Sequence, residues 1–336
     1  MRALVWSGPD RLELQERPQR PPGPKEALVR VKAAGISATD LQLMDGRLSI
    51  AKPPRVLGNE IAGVVEASPV KEWGGRRVIV DPVTGCGRCA YCKTDRKALC
   101  DKGTALGTTG GDGGYAEFVT VPVANLLPLP DSLSFEAGAL AWPLDCAMGA
   151  FERAQPSATD TVLVFGSGPA GLLFVQLARL RECKLIMLVG GGKAKLAAGP
   201  ALGATHVWSH ENRFLQDLVL SYTSGDGPDL AIETSGADPA VSQAFSWVRK
   251  GGRVVLYGLS GSFAKSIPSD TIVTKDLSVV TGGGSPAHGA KALELASAGK
   301  VDLAALVTHR FPLEKASEAV AAARDGDVSV KVVLTP

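Results

Sequence analysis

The residues with the clearest chemistry are four cysteines in one short segment, Cys86, Cys89, Cys92 and Cys100. Their spacing, C-x2-C-x2-C-x7-C, is typical of a closed tetrahedral zinc site, which has no open position for a substrate and is therefore structural. An iron–sulfur cluster also uses four cysteines, and disulfides are a third possibility, but the spacing fits zinc better and a reducing compartment disfavours disulfides. We therefore expect one structural Zn²⁺.

A second chemical signature is the glycine-rich segment Gly166-Ser167-Gly168-Pro169-Ala170-Gly171. It follows the apolar run Thr161–Phe165 and precedes a helical stretch, which is the context that a GxGxxG dinucleotide site requires. Gly166 permits a tight turn, Gly168 lets the backbone approach a pyrophosphate, and Gly171 allows close helix packing. The alternative is a turn that only packs. The context favours a nicotinamide cofactor.

The end of the next strand indicates which cofactor is used. NAD sites usually carry an acidic residue there, whereas this chain has Gly190, Gly191 and Gly192, followed by Lys193 and Lys195. Glycines leave room for a 2′-phosphate, and the lysines could neutralise it. NADP(H) is therefore favoured over NAD(H), although both lysines could instead be solvated residues of a first helical turn.

Two textures of secondary structure position these motifs. The first 130 residues or so contain short predicted strands separated by Gly and Pro, which indicates a β-rich lobe. From about Phe151, predicted strands alternate with helices, which indicates a parallel sheet covered on both faces. One β-rich domain and one doubly wound α/β domain are therefore expected.

Composition narrows the class of protein. The 336 residues favour two domains, and 45% hydrophobic residues are ordinary for a packed globular chain. A net charge of +2 gives no reason to expect a nucleic-acid partner. The sequence contains no run of eighteen apolar residues, so no membrane span is expected. The N-terminus lacks an apolar signal core, so we expect a cytoplasmic protein that acts on a small molecule.

Taken together, the motifs resemble those of the zinc-containing medium-chain dehydrogenase/reductase superfamily, which includes alcohol and polyol dehydrogenases. Besides the cysteine loop and the GxGxxG turn, the matching segments are 34–40 (AGISATD), 56–60 (VLGNE), 113–117 (GGYAE) and 251–254 (GGRV). The resemblance implies a GroES-like catalytic domain from residues 1–148 and 282–336, with a zinc lobe at about 84–102. It also implies a Rossmann domain over 149–281 and a homodimer or homotetramer.

The chain departs from this family at the catalytic zinc. The family's Cys ligand is replaced by Ser37, its His ligand by Asn59, and its frequent Glu ligand by Trp142. Glu60 is retained. Ser37, Asn59 and Glu60 would offer only oxygen ligands, which suit a hard ion better than zinc. The other interpretation is that Asn59 and Glu60 form a hydrogen-bonded polar cluster. Because all three family ligands are replaced, we expect no catalytic zinc.

Without the metal, side chains must activate the substrate. By the resemblance, Thr39 matches the family hydroxyl that relays a proton, and Ser37 is a second hydroxyl in the same loop. Asp145, beside a Trp-lined apolar cleft, could have a raised pKa and act as an acid, or it could be a surface or capping residue. Tyr115 is a further possible donor, with packing as its alternative role. Asn59, Trp142 and Tyr115 are expected to line the substrate pocket, and Glu60 is counted with Thr39, Ser37 and Asp145 among the candidate catalytic residues.

Three functions follow. The first is NADPH-dependent reduction of an activated, conjugated C=C bond, because enolate charge can be stabilised by hydrogen bonds alone. The second is a zinc-independent alcohol or carbonyl dehydrogenase acting on a sugar- or cyclitol-like substrate. The third is an inactive homologue that only binds nucleotide. Without a Lewis acid the C=C reaction is the easier one, so the sequence favours the first.

Overall fold

A computed structural model describes residues 1–261 and 267–336. The N-terminal part of the chain is built mainly from short strands joined by tight turns. Its elements are β1 (Arg2–Gly8), β2 (Arg11–Glu16), β3 (Glu26–Gly35), α1 (Ala38–Met44), β4 (Arg55–Val56), β5 (Glu60–Ala67), β6 (Arg77–Val80), β7 (Val83–Thr84), α2 (Ala90–Lys93), β8 (Thr104–Ala105), β9 (Phe118–Pro122) and β10 (Leu126–Pro128).

The second part alternates strands with helices. Its elements are α3 (Phe135–Ala139), α4 (Ala141–Arg153), β11 (Thr161–Phe165), α5 (Pro169–Leu180), β12 (Leu185–Gly190), α6 (Lys193–Leu202), β13 (His206–Ser209), α7 (Leu215–Tyr222), β14 (Leu230–Glu233), α8 (Asp238–Trp247), β15 (Arg253–Leu256), α9 (Ser269–Lys275), β16 (Ser278–Val280), α10 (Pro286–Ser297), β17 (Val307–Phe311), α11 (Ala316–Arg324) and β18 (Lys331–Leu334). Short 3₁₀ turns lie at Lys71–Trp73, Lys97–Leu99, Val123–Asn125, Ala304–Leu306 and Leu313–Lys315.

The α/β part is organised by a parallel six-stranded sheet in the order β13-β12-β11-β14-β15-β16. Strand β11 is apolar along its length because both of its faces are covered. Val162 and Val164 pack into the core that contains α5, whereas Leu163 and Phe165 pack on the opposite side with α8. Since β12 and β14 lie on opposite sides of β11, the order in which strands are added to the sheet reverses at β11. A crevice opens there at the carboxyl ends of the strands.

The β-rich part includes the end of the chain. Its largest sheet has the order β10-β6-β5-β3-β18-β17, with β9 also paired to β3. Val333 and Leu334 of β18 pair with Gly35 and Ala34 of β3. The C-terminal strands therefore return to the lobe formed by the N-terminal strands. The expected combination of a β-rich lobe and a doubly wound α/β unit is confirmed. The exact division at residues 148 and 282 stays a prediction, and residue 148 lies within α4.

Candidate functional site

A cleft of about 810 Å³ lies between the β-rich lobe and the carboxyl ends of the parallel strands. One wall carries the glycine turn after β11, and the other carries the loop that begins α1. Ligands of open α/β sheets bind in this crevice, so the topology places a dinucleotide opposite the polar residues of the β-rich lobe.

The glycine turn has the geometry that a pyrophosphate requires. Gly166 has a φ of +105°, which favours glycine. A Cβ on Gly171 would collide with the carbonyl oxygen of Gly166, whereas a Cβ on Gly168 would meet no atom within 4 Å. The space beside Gly168 is therefore open to a ligand. Pro169 begins α5, whose N-terminus faces the cleft with its free backbone amides, and Ala170 also lines the cleft.

The end of β12 lines the part of the cleft where the adenosine of a dinucleotide would lie. Ser167 Oγ donates to the carbonyl oxygen of Gly191 at 2.5 Å, which ties the glycine turn to this strand end. Gly190 and Lys195 line the cleft. Lys193 is exposed, and its backbone amide donates to the carboxylate of Asp327 at 2.8 Å. Of the two lysines, Lys195 is therefore the one placed to meet a bound nucleotide.

On the opposite wall, Ser37 is the N-cap of α1 and forms a capping box with Asp40. Ser37 Oγ donates to Asp40 Oδ2 at 2.6 Å, so the hydroxyl proton is already used within the protein. Tyr115 is fully buried, and its hydroxyl donates to the same Asp40 oxygen at 2.8 Å. Tyr115 therefore supports the loop from behind rather than contacting the cleft.

Thr39 and Asn59 are among the cleft residues with free polar groups. Thr39 and Asn59 both line the cleft, and in the described part of the chain neither side chain has a hydrogen-bond partner. Polar groups left unpaired in a cleft are the ones that a ligand can satisfy. These two residues are therefore placed to bind substrate oxygens.

Beneath them, Glu60 forms a buried ion pair with Lys331, a residue of β18. Lys331 Nζ lies 2.8 Å from Glu60 Oε1 and 2.6 Å from Oε2, and it also donates to the carbonyl oxygen of Ile36 at 2.9 Å. Burial raises the pKa of Glu60, and the Lys331 ammonium opposes that shift. Gly35 makes room for the pair, because a Cβ there would collide with the Glu60 carboxylate. The charge of Glu60 is thus balanced by a side chain.

Helix α4 presents Trp142 and Cys146 to the cleft. Asp145 is turned by about 100° from Cys146 and points to the start of α10, where it accepts a hydrogen bond from the backbone amide of Ser285 at 2.8 Å. His288 Nδ1 lies 3.9 Å from its carboxylate. Asp145 is therefore placed to anchor the loop before α10 rather than to protonate a substrate in the cleft.

The surroundings of Asp145 also affect stability. Burial raises the pKa of its carboxyl to about 7. Because the folded pKa exceeds that of an unfolded Asp, the protonated form favours the folded state. This contribution is complete below about pH 4 and is lost as the pH rises towards 7.

The four cysteines converge as the spacing predicts. The sulfur atoms of Cys86, Cys89, Cys92 and Cys100 all lie within 4.8 Å of one another. Sulfurs around a tetrahedral zinc at about 2.3 Å would be separated by about 3.8 Å, so the donor set fits this ion. Backbone amides of Arg88 and Cys89 donate to Cys86 and lower its pKa, whereas burial raises the pKa of Cys92; a bound metal would require both as thiolates.

Lys331, Cys146 and Tyr257 also line the cleft but were missed by the sequence reasoning. A signal existed for each of them. Lys331 is a single charge among the apolar residues of the closing strand, and Tyr257 ends a predicted strand at the sheet edge where ligands bind. For Cys146, helical spacing from Trp142 was the available clue.

Comparison with known proteins agrees with this architecture. Residues 23–131 match the alcohol dehydrogenase GroES-like domain, and residues 169–298 match the zinc-binding dehydrogenase family. The chain is 31% identical to an erythritol/L-threitol dehydrogenase of Mycolicibacterium smegmatis, over 100% of this chain and 98% of the relative. The chain belongs to the zinc-type medium-chain dehydrogenase/reductase superfamily. Membership in this superfamily is thus confirmed.

Two solved structures cover the whole chain and show both forms of the cofactor. A putative zinc-binding dehydrogenase from Sinorhizobium meliloti, bound to NADP, is 29% identical with a TM-score of 0.92 over 99% of its own chain. A short chain alcohol dehydrogenase (RspB) from Escherichia coli CFT073, in complex with NADH, is 28% identical with a TM-score of 0.91, also over 99%. Solved relatives of this chain thus bind either NADP or NADH.

No helix in the described ranges is long and apolar enough to cross a membrane.

Proposed function

We propose that this protein is an NAD(P)(H)-dependent dehydrogenase that interconverts a secondary alcohol of a polyol- or cyclitol-like substrate with the corresponding ketone, without a catalytic zinc. The observation that supports it best is the cleft itself. It places an open glycine turn opposite the unpaired side chains of Thr39 and Asn59. A substrate with several hydroxyl groups can satisfy both.

This proposal replaces the reaction that the sequence favoured. Reduction of an activated C=C bond gains no support from the comparisons, whereas the relatives described above include an alcohol dehydrogenase and a polyol dehydrogenase. The alternative expectation of an alcohol or carbonyl dehydrogenase on a sugar- or cyclitol-like substrate is therefore the better one. The polar cleft wall is consistent with it, because an enone offers only one oxygen to hydrogen-bond.

The absence of a catalytic zinc is supported by the donor set. Within the described residues, the four cysteines are the one group of three or more His, Cys, Asp or Glu side chains whose ligand atoms cluster closely enough for a metal. Glu60 is bonded to the Lys331 ammonium. Ser37 and Asn59 would add only neutral oxygens, which bind zinc weakly.

Substrate activation then falls to side chains. A bound nicotinamide supplies or accepts the hydride. In ketone reduction Thr39 Oγ1 donates its proton to the substrate oxygen as negative charge develops there and is reprotonated by solvent, and in alcohol oxidation it accepts the hydroxyl proton and passes it to solvent. Ser37 Oγ, whose proton is directed to Asp40, is left to accept from a neighbouring substrate hydroxyl. The Lys331 ammonium is paired with Glu60, so this pair supports the same wall without adding net charge to it.

The cofactor preference is also part of the proposal. Lys195 lines the adenosine side and can meet a 2′-phosphate, and the three glycines 190–192 bring no carboxylate of their own. We infer NADP(H), with Lys195 as the discriminating contact. The cysteine lobe would hold one structural Zn²⁺. The homodimer or homotetramer and the cytoplasmic location stay predictions.

The test combines metal analysis with a substrate panel. We expect about one zinc per chain, lost in Cys100→Ser and kept in the control Cys183→Ser, because Cys183 lies outside the cluster. Four- to six-carbon polyols and cyclitols are tested with NAD⁺ and with NADP⁺, and we expect the protein to oxidise at least one of them. A second zinc required for turnover, or NADPH oxidation by cyclohexenone but not by any ketose, would overturn the proposal. Tight NADPH binding without turnover would indicate the inactive homologue.

A further inference from the structure

Tyr257 is a cleft residue to which the proposed mechanism gives no role. It follows β15 directly, at the carboxyl edge of the parallel sheet. Its backbone amide donates to the carbonyl oxygen of Glu233 at 2.9 Å. Its ring packs edge-on against Phe174 of α5, with 5.0 Å between ring centroids and an interplanar angle of 84°. Backbone and ring are both fixed, so the position of the hydroxyl is defined by the fold.

The hydroxyl of Tyr257 is unpaired. Among residues 1–261 and 267–336, no group forms a hydrogen bond with it. Burial raises its pKa well above the ordinary value, and Cys146, Glu60 and Asp145 raise it further. The phenol therefore stays neutral and can donate a hydrogen bond, but it cannot serve as a phenolate base near neutral pH. A cleft hydroxyl without a protein partner is a group that a ligand acceptor can satisfy.

The position of Tyr257 in the sheet indicates which end of the ligand it meets. The adenosine side lies at the ends of β12 and β13, so the nicotinamide end of a dinucleotide extends over β14 and β15. Tyr257, Cys146 and Thr39 all line the cleft, and Cys146 and Glu60 lie close enough to the phenol to raise its pKa. A dinucleotide and a ketone bound there would present carbonyl-type oxygens as acceptors, either of the nicotinamide carboxamide or of the reacting substrate.

We propose that Tyr257 donates a hydrogen bond to a carbonyl oxygen bound at the nicotinamide end of the cleft, and so positions the reacting groups. The inference needs a bound nicotinamide but not a particular substrate. It deepens the proposed function, because a neutral phenol is a donor of the kind that a site without a Lewis acid requires.

Tyr257→Phe removes only the hydroxyl and keeps the ring against Phe174. The control is Tyr222→Phe, which removes an exposed phenol of the same α/β unit. Dissociation constants for NADPH and NADH are measured by fluorescence titration, and kcat/KM for ketone reduction is measured at saturating cofactor. We expect a loss of about 3- to 10-fold in one of these quantities for Tyr257→Phe, and no change for Tyr222→Phe.

The two sources of the oxygen give different patterns. If the carboxamide is the acceptor, Tyr257→Phe weakens NADPH binding, and a thionicotinamide analogue, whose sulfur accepts poorly, erases the difference between variant and wild type. If the substrate is the acceptor, cofactor binding is unchanged and kcat/KM falls. Unchanged values in both assays would overturn the inference. The binding measurement needs no substrate, so it stands even if the proposed reaction is wrong.

A second measurement uses the wild-type fold. The chain has four tyrosines, so fluorine NMR of protein labelled with 3-fluorotyrosine gives four resonances, and the Tyr257→Phe spectrum assigns one of them. We expect the Tyr257 resonance to shift when NADPH, or NADPH with a ketone, is added. A resonance that does not move under either condition would contradict the inference, whatever the stability of the variant.

Discussion

The buried pair of Glu60 and Lys331 allows a quantitative prediction. Only 4% of Glu60 and 3% of Lys331 is exposed. Lys331→Met keeps a long side chain but leaves a buried carboxylate without its cation. Removing one partner of a buried ion pair costs about 3–5 kcal/mol. For a chain of this size each kcal/mol lowers the melting temperature by about 2–4 °C, so we expect a decrease on the order of 10 °C.

The assay is thermal unfolding at neutral pH, with Glu60→Gln/Lys331→Met as the double variant. Because the double variant removes both charges, it should melt at a higher temperature than Lys331→Met alone. Lys315→Met is the control, since its ion pair with Glu318 is exposed and such pairs contribute little. If Lys331→Met melted like the control, or if the two substitutions were simply additive, the pair would not be balancing a buried charge and our argument about the cleft wall would fail.

Three further predictions concern other parts of the molecule. Because the pKa of the Asp145 carboxyl is about 7, Asp145→Asn should be more stable than wild type at pH 8, by up to about 4 kcal/mol, and should approach wild type below pH 4. Urea unfolding at both pH values tests this, and a gain in stability no larger than that of the exposed control Asp131→Asn would contradict it. Lys195→Ala should lower the ratio of kcat/KM for NADP⁺ to that for NAD⁺ by about tenfold, as expected for a lost charge-assisted hydrogen bond; an unchanged ratio would exclude Lys195 as the discriminating contact. Gly168→Ala should weaken cofactor binding without lowering the melting temperature, whereas Gly171→Ala should destabilise the fold because its Cβ collides with the turn. Cofactor titration and thermal unfolding of both variants separate the two roles, and equal melting temperatures for the two variants would refute them.

Features encoded within a short segment could be predicted from the sequence. The cysteine spacing places four thiols in one loop, and the structure brings their sulfurs together. The turn after Thr161–Phe165 is likewise local, because a strand, a glycine turn and a helix follow one another directly. In both cases the geometry depends on residues that are close in the sequence, so the spacing of those residues was enough to predict it.

The orientation of individual side chains was decided only by the tertiary structure. Asp145 follows the last expected cleft residue on α4 by three positions, yet packing turns it towards Ser285. Tyr115 matches the family motif but donates to Asp40 inside the lobe. The periodicity of a helix or strand determines which face a residue occupies. It does not determine which residue of another element packs against that face.

The sequence by itself determined the superfamily, the α/β sheet with its dinucleotide turn, and the cysteine cluster, since each depends on short-range pattern. The tertiary structure decided what surrounds Glu60, because Lys331 is separated from it by 271 residues. It also decided that Tyr257 lines the cleft, whereas Tyr115 and Asp145 do not. Contacts of that kind arise where distant segments pack together, and chain spacing does not record them.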